Sequence, residues 1–200
     1  MNEDIQQILI PADDIAAKVR CLAGQVARDY GGKKPVLVGV LSGSVVFLAD
    51  LIRQLEIPLT LDFVAARSYG EGTESSGGME LLAGPLEEVR GRHVILVEDI
   101  VDTGRTIQCL RRHLESLGAA SVRVCALLDK RSRRQVDVQI EYCGFAVPDQ
   151  FVVGYGLDFA GRYRNLPFVA ALPASQLTSS EPKGCDPSTA LGVARAFKQG

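Results

Sequence analysis

Apolar residues recur along this chain in two alternating patterns, one typical of buried strands and one typical of helix faces. The first helix is predicted from apolar residues at three- and four-residue spacing between Ile15 and Val26, and it ends before Gly31. Two more helical patterns cover Phe47–Leu55 and Ile107–Leu117. Short apolar runs that predict buried strands lie at Val36–Leu41, Leu59–Ala65, His93–Glu98 and Ser121–Leu128. Strands that alternate with helices predict an α/β fold with a central parallel sheet and sites at the carboxyl ends of its strands.

The remaining segments have weaker patterns. Further strand candidates are Val138–Cys143, Phe151–Val153 and Phe168–Leu172. A glycine-rich stretch runs from Ser68 to Gly84. After Pro173 the composition shifts to Ser, Thr, Pro, Gly and Lys, so residues 174–200 are predicted to form a mobile C-terminal tail.

One predicted strand runs into the most informative motif of the chain, Glu98–Thr106. Its Thr-Gly-Arg-Thr turn would present hydroxyls and backbone N–H groups at a helix N-terminus, where anions bind. The carboxylates before the turn would repel a bare phosphate. A ligand that suits both parts carries an anionic group at one end and hydroxyls or a metal ion at the other, as a ribose 5-phosphate does. The plainer interpretation is a strand–turn–helix in which Asp102 or Thr103 caps the helix.

Composition and charge exclude several classes of protein. The chain has 200 residues, 46% of them hydrophobic, and a formal net charge of −2, which gives no general reason to expect nucleic acid or anionic membranes as partners. No apolar run is long enough to span a membrane, and the acidic N-terminus lacks the order of a signal peptide. The five cysteines form no Cys-x-x-Cys pair, which favours a reducing cytoplasm.

The Glu98–Thr106 motif resembles the phosphoribosyl-pyrophosphate motif of type I phosphoribosyltransferases, in the form found in hypoxanthine-guanine phosphoribosyltransferases. The turn is not a Walker loop, because no glycine lies five residues before Gly104. The resemblance covers about residues 8–173. It implies a phosphoribosyltransferase domain over residues 1–173, with a central parallel sheet flanked by helices. A small hood subdomain is implied from the N-terminal residues and about 155–173.

The resemblance also assigns roles within this motif. The residues implied to bind the 5-phosphate are Thr103, Gly104, Arg105 and Thr106. Glu98 and Asp99 would contact the ribose hydroxyls and, together with Asp158, hold Mg²⁺. Asp102 is the implied catalytic residue, which accepts or steers the proton on purine N7 while N9 forms the glycosidic bond. Many relatives have Lys at the position of Arg105; both are cations, so we expect activity to be retained.

Val40–Ser44 resembles the family's pyrophosphate loop, in which the peptide joining the positions of Leu41 and Ser42 is typically cis. The implied pyrophosphate-binding residues are Leu41, Ser42, Gly43 and Arg164. Many members carry a basic residue at the position of Ser42, and its absence here is expected to weaken affinity more than to alter the chemistry. By itself, the loop reads as a simple strand-to-helix turn capped by Ser44.

Ser68 and Tyr69, followed by glycines, resemble the family's flexible lid, whose closure excludes water from the reacting centre. Without the rest of the chain, this stretch reads as a solvated hairpin loop.

The purine site is implied by two further segments. Lys130 matches the family lysine that donates to the exocyclic oxygen of the purine, which selects oxopurines and disfavours adenine. The basic residues at 131, 133 and 134 read as a solvated loop. Phe151–Phe159 resembles the purine segment: Phe151 would stack on the base and the backbone of Val152 would bond its edge. Asp158, in the same segment, would bind Mg²⁺ through its carboxylate.

The expected function is therefore a purine-salvage transferase that makes IMP or GMP from phosphoribosyl pyrophosphate. Two alternatives remain open at this point: a xanthine-preferring relative, and a regulator that binds phosphoribosyl pyrophosphate without catalysis. We expect a homodimer or homotetramer, because members of the family commonly have these states.

Overall fold

A computed structural model describes residues 5–68, 79–83 and 87–177 of the chain. The larger of the two sheets in this part contains β2 (Val36–Leu41), β3 (Thr60–Ser68), β4 (Met79–Ala83), β5 (His93–Val101), β6 (Ser121–Asp129) and β7 (Tyr142–Ala146). Its spatial order is β4-β3-β2-β5-β6-β7, and every neighbouring pair is parallel except β3 and β4. The predicted α/β fold with a central parallel sheet is confirmed.

Three helices cover the two faces of this sheet: α1 (Ala12–Tyr30), α2 (Val45–Arg53) and α3 (Arg105–Ser116). Side chains alternate along a strand, so Ile95 and Val97 of β5 pack in the same core as α1 and α2. Val94 and Leu96 point the other way and pack in the same core as α3. None of the described helices is long and apolar enough to cross a membrane.

The second sheet is small and antiparallel, with the order β1-β9-β8. Its strands are β1 (Gln7–Ile10), β8 (Val152–Val153) and β9 (Val169–Ala171). The expected hood is therefore present, and it takes β8 in addition to the predicted segments. A single helical turn, α4 (Ala174–Leu177), follows. The rest of the predicted tail, residues 178–200, lies outside the described residues.

Several elements differ from the sequence predictions, and three of these differences concern the strands β5, β7 and β4. Strand β5 continues past Glu98 to Val101, because its ladder with β6 extends to the pair Val101 and Asp129. Strand β7 begins at Tyr142, where its pairing with β6 starts, rather than at Val138. Strand β4 lies inside the stretch that glycine content marked as a loop, because its backbone pairs with β3.

Candidate active site

The carboxyl ends of β2, β5 and β6 are neighbours in the sheet. Parallel strands end at a common edge, so the segments that follow them meet there. These segments are the predicted pyrophosphate loop after β2, the Glu98–Thr106 motif at the end of β5, and the basic run that begins at Lys130. The strand order therefore places predicted site residues from three separate stretches of the chain at the same edge of the sheet.

The loop after β2 has an unusual backbone. The peptide bond between Leu41 and Ser42 is cis, as predicted. A side chain at Gly43 would overlap the Asp99 carboxylate, and one at Gly156 would overlap the carbonyl oxygen of Gly43. Only glycine lets these backbones approach so closely. The loop is thus held between the end of β5 and the segment that follows β8.

Ser44 occupies the N-cap position of α2, but its side chain does not cap the helix. Its buried hydroxyl donates a hydrogen bond to the carbonyl oxygen of Val40, 2.6 Å away. The prediction of a simple capped turn is therefore wrong, since the hydroxyl stabilises the preceding loop instead.

The turn after β5 leaves the start of α3 without a side-chain cap. The helix begins at Arg105, after Gly104 in the left-handed region with φ 83°. At the start of the helix, Thr103 Oγ1 accepts a long hydrogen bond of 3.4 Å from the Arg105 N–H. Gly104 takes the N-cap position, so neither Asp102 nor Thr103 is the N-cap, and Thr103 reaches only the first helical amide through this long bond. Uncapped amides at a helix start favour an anion.

The two carboxylates at the end of β5 lie close together. Burial and the neighbouring Asp99 raise the pKa of Glu98 well above its usual value. Burial also raises the pKa of Asp99, although hydrogen bonds with Glu98 and with the Ile100 N–H act in the opposite direction. The buried Oε2 of Glu98 has no hydrogen-bond partner. This pair would be stabilised by a hydroxyl donor or a cation.

The side chains here suit Mg²⁺ as ligands, but by themselves they do not form a complete coordination sphere. Carboxylate oxygens are its preferred ligands, and the unpartnered Oε2 of Glu98 offers one. Within the described ranges, no group of three or more His, Cys, Asp or Glu side chains is arranged to hold a metal. Such a site suits Mg²⁺ that keeps water and binds substrate phosphates, rather than an ion caged by protein.

Asp102 lies beyond these carboxylates, at the turn itself. Its Oδ1 is buried and makes no hydrogen bond, although the Arg133 Nε lies 3.4 Å away. The other side of the residue is open, since its side chain is 39% exposed. A carboxylate oxygen in this state can accept a proton from a ligand.

Lys130 is buried immediately after β6. Its Nζ donates to the Gln150 carbonyl at 2.8 Å, and its backbone N–H donates to the Val101 carbonyl at 3.0 Å. The next residue after Gln150, Phe151, is 39% exposed and contacts Phe159 edge to face, with ring centroids 5.3 Å apart. The ammonium and an accessible aromatic ring are therefore near each other, and Val152 follows as the first residue of β8.

Asp158 and Arg164 contact each other directly. Asp158 Oδ1 lies 2.6 Å from Arg164 Nη2, and its Oδ2 accepts from the Gly161 N–H at 2.8 Å. Arg164 Nη1 also donates to the Gly156 carbonyl at 2.5 Å. The predicted metal ligand and the predicted pyrophosphate arginine are thus partners in this structure, so a metal at Asp158 would share or replace these bonds.

The sequence interpretation missed Asp129. This carboxylate is only 3% exposed, and it binds Arg131 Nε at 2.8 Å and Arg134 Nη2. The solvated interpretation of the basic run holds for Arg131, whose side chain is 84% exposed, and fails for Arg134, which is 17% exposed. The available signal was a carboxylate directly before four cationic residues.

In the predicted lid, Ser68 ends β3 and Tyr69 lies outside the described residues.

Residues 8–160 match the phosphoribosyl transferase domain. The chain belongs to this family. It is 41% identical over 172 residues to the hypoxanthine-guanine phosphoribosyltransferase of Streptococcus pneumoniae, covering 86% of this chain and 96% of that protein. It is 44% identical over 165 residues to the hypoxanthine phosphoribosyltransferase of Salmonella typhimurium, covering 82% and 93%.

Solved structures of this phosphoribosyl transferase family have the same fold. A hypoxanthine phosphoribosyltransferase from Staphylococcus aureus superposes with a TM-score of 0.84 at 37% identity, covering 90% of this chain and 97% of that one. A hypoxanthine-guanine phosphoribosyltransferase from Bacillus anthracis gives a TM-score of 0.80 at 45% identity, covering 84% and 99%. The similarity therefore extends over most of the chain.

Proposed function

We propose that this phosphoribosyl transferase domain moves the 5-phosphoribosyl group from phosphoribosyl pyrophosphate to N9 of hypoxanthine or guanine. The products are IMP or GMP and pyrophosphate. The observation that carries the proposal is the meeting of three features at one sheet edge. They are a start of α3 without an N-cap side chain, the Oδ1 of Asp102, which makes no hydrogen bond, and the buried ammonium of Lys130. The names and high coverage of the relatives support the same reaction.

The phosphoribosyl group binds at the end of β5. Its 5-phosphate accepts hydrogen bonds from the turn formed by Thr103, Gly104, Arg105 and Thr106. The helix start adds a favourable electrostatic field for this dianion. Glu98 and Asp99 accept hydrogen bonds from the ribose hydroxyls, which satisfies the orphan oxygen of Glu98. These contacts hold the sugar ring in one orientation.

The pyrophosphate binds between the loop after β2 and Arg164. Backbone groups of Leu41, Ser42 and Gly43 line one side, and the Arg164 guanidinium provides the positive charge on the other. Asp158, Glu98 and Asp99 would hold Mg²⁺ together with substrate oxygens, and the ion would supply positive charge against the leaving pyrophosphate. The Ser68–Tyr69 segment acts as the lid that excludes water.

The purine binds against Phe151, with its edge bonded by the backbone of Val152. The Lys130 ammonium donates to the exocyclic oxygen of the base. An amino group at that position, as in adenine, would offer the buried ammonium no acceptor on the base, and this difference selects oxopurines.

Asp102 takes or steers the N7 proton. Proton removal increases electron density on the ring as N9 attacks the anomeric carbon, and a positioned carboxylate of this kind contributes about 10²–10⁴ in rate. The oxocarbenium-like sugar is stabilised electrostatically by the carboxylates of β5.

Residues 1–173 form the catalytic domain in this proposal. The protein acts in the cytoplasm as a homodimer or homotetramer. Exposed apolar side chains support self-association: Leu61 and Phe63 on β3 are 42% and 39% exposed, and Leu41 and Val45 near α2 are 37% and 42% exposed. Among the described residues, Cys21, Cys109, Cys125 and Cys143 are free thiols.

The test is a spectrophotometric assay of the purified protein with Mg²⁺ and phosphoribosyl pyrophosphate. Hypoxanthine, guanine, xanthine, adenine and orotate are offered separately. Turnover of hypoxanthine or guanine supports the proposal, whereas a clear preference for xanthine would assign the xanthine-preferring alternative. Binding of phosphoribosyl pyrophosphate without turnover of any base would favour the regulator.

A further inference from the structure

We propose that Asp129 is a positioning residue for this reaction. It orients Arg134, and Arg134 in turn holds the backbone of Asp102. The inference rests on the proposed function, in which Asp102 handles the purine proton. Asp129 does not touch the substrate in this scheme and acts only through the arginine.

The first step is the burial of Asp129. Its carboxylate is 3% exposed at the last position of β6, directly beside Val101 in the ladder with β5. Both oxygens are used: Oδ2 accepts from Arg131 Nε at 2.8 Å and Oδ1 accepts from Arg134 Nη2. A buried carboxylate with two guanidinium partners fixes their orientation, because leaving either oxygen unpaired is costly.

The second step is the reach of Arg134 toward the catalytic turn. Its Nε donates to the Asp102 carbonyl at 3.1 Å, and its Nη2 donates to the Val101 carbonyl at 3.4 Å. A third, 3.4 Å bond from Nη1 to the Val138 carbonyl anchors the guanidinium from the other side. Arg134 thus connects the buried carboxylate to the backbone that carries the proposed base.

The chain around Arg134 strengthens this connection. The Thr103 carbonyl accepts from the Gln135 N–H at 3.0 Å and from the Val136 N–H at 3.2 Å. Residues 134–136 are therefore hydrogen-bonded to residues 101–103 along the whole of this short segment. Arg131 differs, because its side chain binds the same Asp129 but, among the described residues, makes no hydrogen bond to residues 101–103. That difference provides a matched control.

The experiment compares Asp129→Asn, Arg134→Gln and Arg131→Gln in the full-length protein. The first two are expected to lower kcat for hypoxanthine by about 10- to 100-fold, since small misplacement of a reacting group costs this much. The KM for phosphoribosyl pyrophosphate should change far less. Arg131→Gln removes a partner of Asp129 but no bond to the turn, so it should lower kcat much less than Arg134→Gln does. Equal losses in all three variants would overturn the proposal, because the effect would then be one of local charge.

Two further measurements separate positioning from general stability. In an Asp102→Asn background, Asp129→Asn should lower kcat no further, because both act through the same carboxylate. Hydrogen exchange of the peptide covering residues 100–106 should become faster in Asp129→Asn and Arg134→Gln but not in Arg131→Gln. Unchanged exchange would overturn the proposal even if the wild type proved inactive, whereas inactivity of the wild type alone would count against the proposed function.

Discussion

The carboxylate of Asp158 lies 2.6 Å from the guanidinium of Arg164, so the two residues expected to bind metal and pyrophosphate are joined in an ion pair. Arg164 also holds the Gly156 carbonyl, and Gly156 packs directly against the backbone of Gly43. The predicted pyrophosphate loop, the predicted metal ligand Asp158 and Arg164 therefore form one connected unit. A substitution at one of these residues should alter the positions or interactions of the others.

Asp158→Asn tests this unit. The amide keeps the shape of the side chain but loses its charge, so it binds Mg²⁺ poorly and holds Arg164 less firmly. We expect the Mg²⁺ concentration for half-maximal rate and the KM for phosphoribosyl pyrophosphate to rise by about 10- to 100-fold, as for other groups that orient a metal site. Glu88→Gln, at an exposed carboxylate paired with Arg92, is the control. An unchanged Mg²⁺ requirement in Asp158→Asn would remove this residue from the metal site.

Asp102→Asn should lower kcat by about 10²–10⁴, the contribution of a general base, while the KM for phosphoribosyl pyrophosphate stays within a few-fold. The reason is that the amide cannot accept the N7 proton but leaves the turn intact. Asp149→Asn is a matched control, because Asp149 also lies near Arg133, 3.9 Å away, and is more exposed. Steady-state kinetics decide the point: similar rates for both variants would exclude Asp102 as the base.

Lys130→Gln should reduce the preference for hypoxanthine over adenine. The glutamine amide can still donate to the Gln150 carbonyl but provides no charge, and loss of a charged hydrogen bond costs about 1.5–3 kcal/mol, or roughly 10- to 100-fold in kcat/KM. The measurement is the ratio of kcat/KM for the two bases. Arg131→Gln, in the same loop and 84% exposed, should leave the ratio unchanged. A preserved ratio in Lys130→Gln would place selection elsewhere.

Gly43→Ala and Gly24→Ala should have opposite effects on stability. A methyl group at Gly43 overlaps the Asp99 carboxylate, so we expect destabilisation of about 1–3 kcal/mol, as in other overpacked sites, and a loss of activity. At Gly24, within α1, a methyl group meets no atom within 4 Å, so helix propensity should stabilise the protein by about 0.5–1 kcal/mol. Urea unfolding measures both; a neutral Gly43→Ala would show that the loop can relax away from β5.

The sequence by itself determined the α/β class, the positions of most strands and helices, and the family. Strand and helix periodicities arise from neighbouring residues, and so they are readable in short windows. The Glu98–Thr106 motif is contiguous for the same reason: one strand, one turn and one helix start bind one end of a ligand. The cis bond between Leu41 and Ser42 was also predictable, but only through resemblance, since no local pattern indicates it.

Only the tertiary structure decided which distant residues became partners. In the sequence, Arg131 and Arg134 are equivalent members of one basic run, yet one is exposed and the other lies against the Asp102 backbone. Asp129 and Asp99 acquired their burial from the strands on either side, and the pairing of Asp158 with Arg164 depended on how the loop between them folds. Burial and pairing depend on which strand ends share an edge, and this is set by the packing order β4-β3-β2-β5-β6-β7, which no local pattern contains.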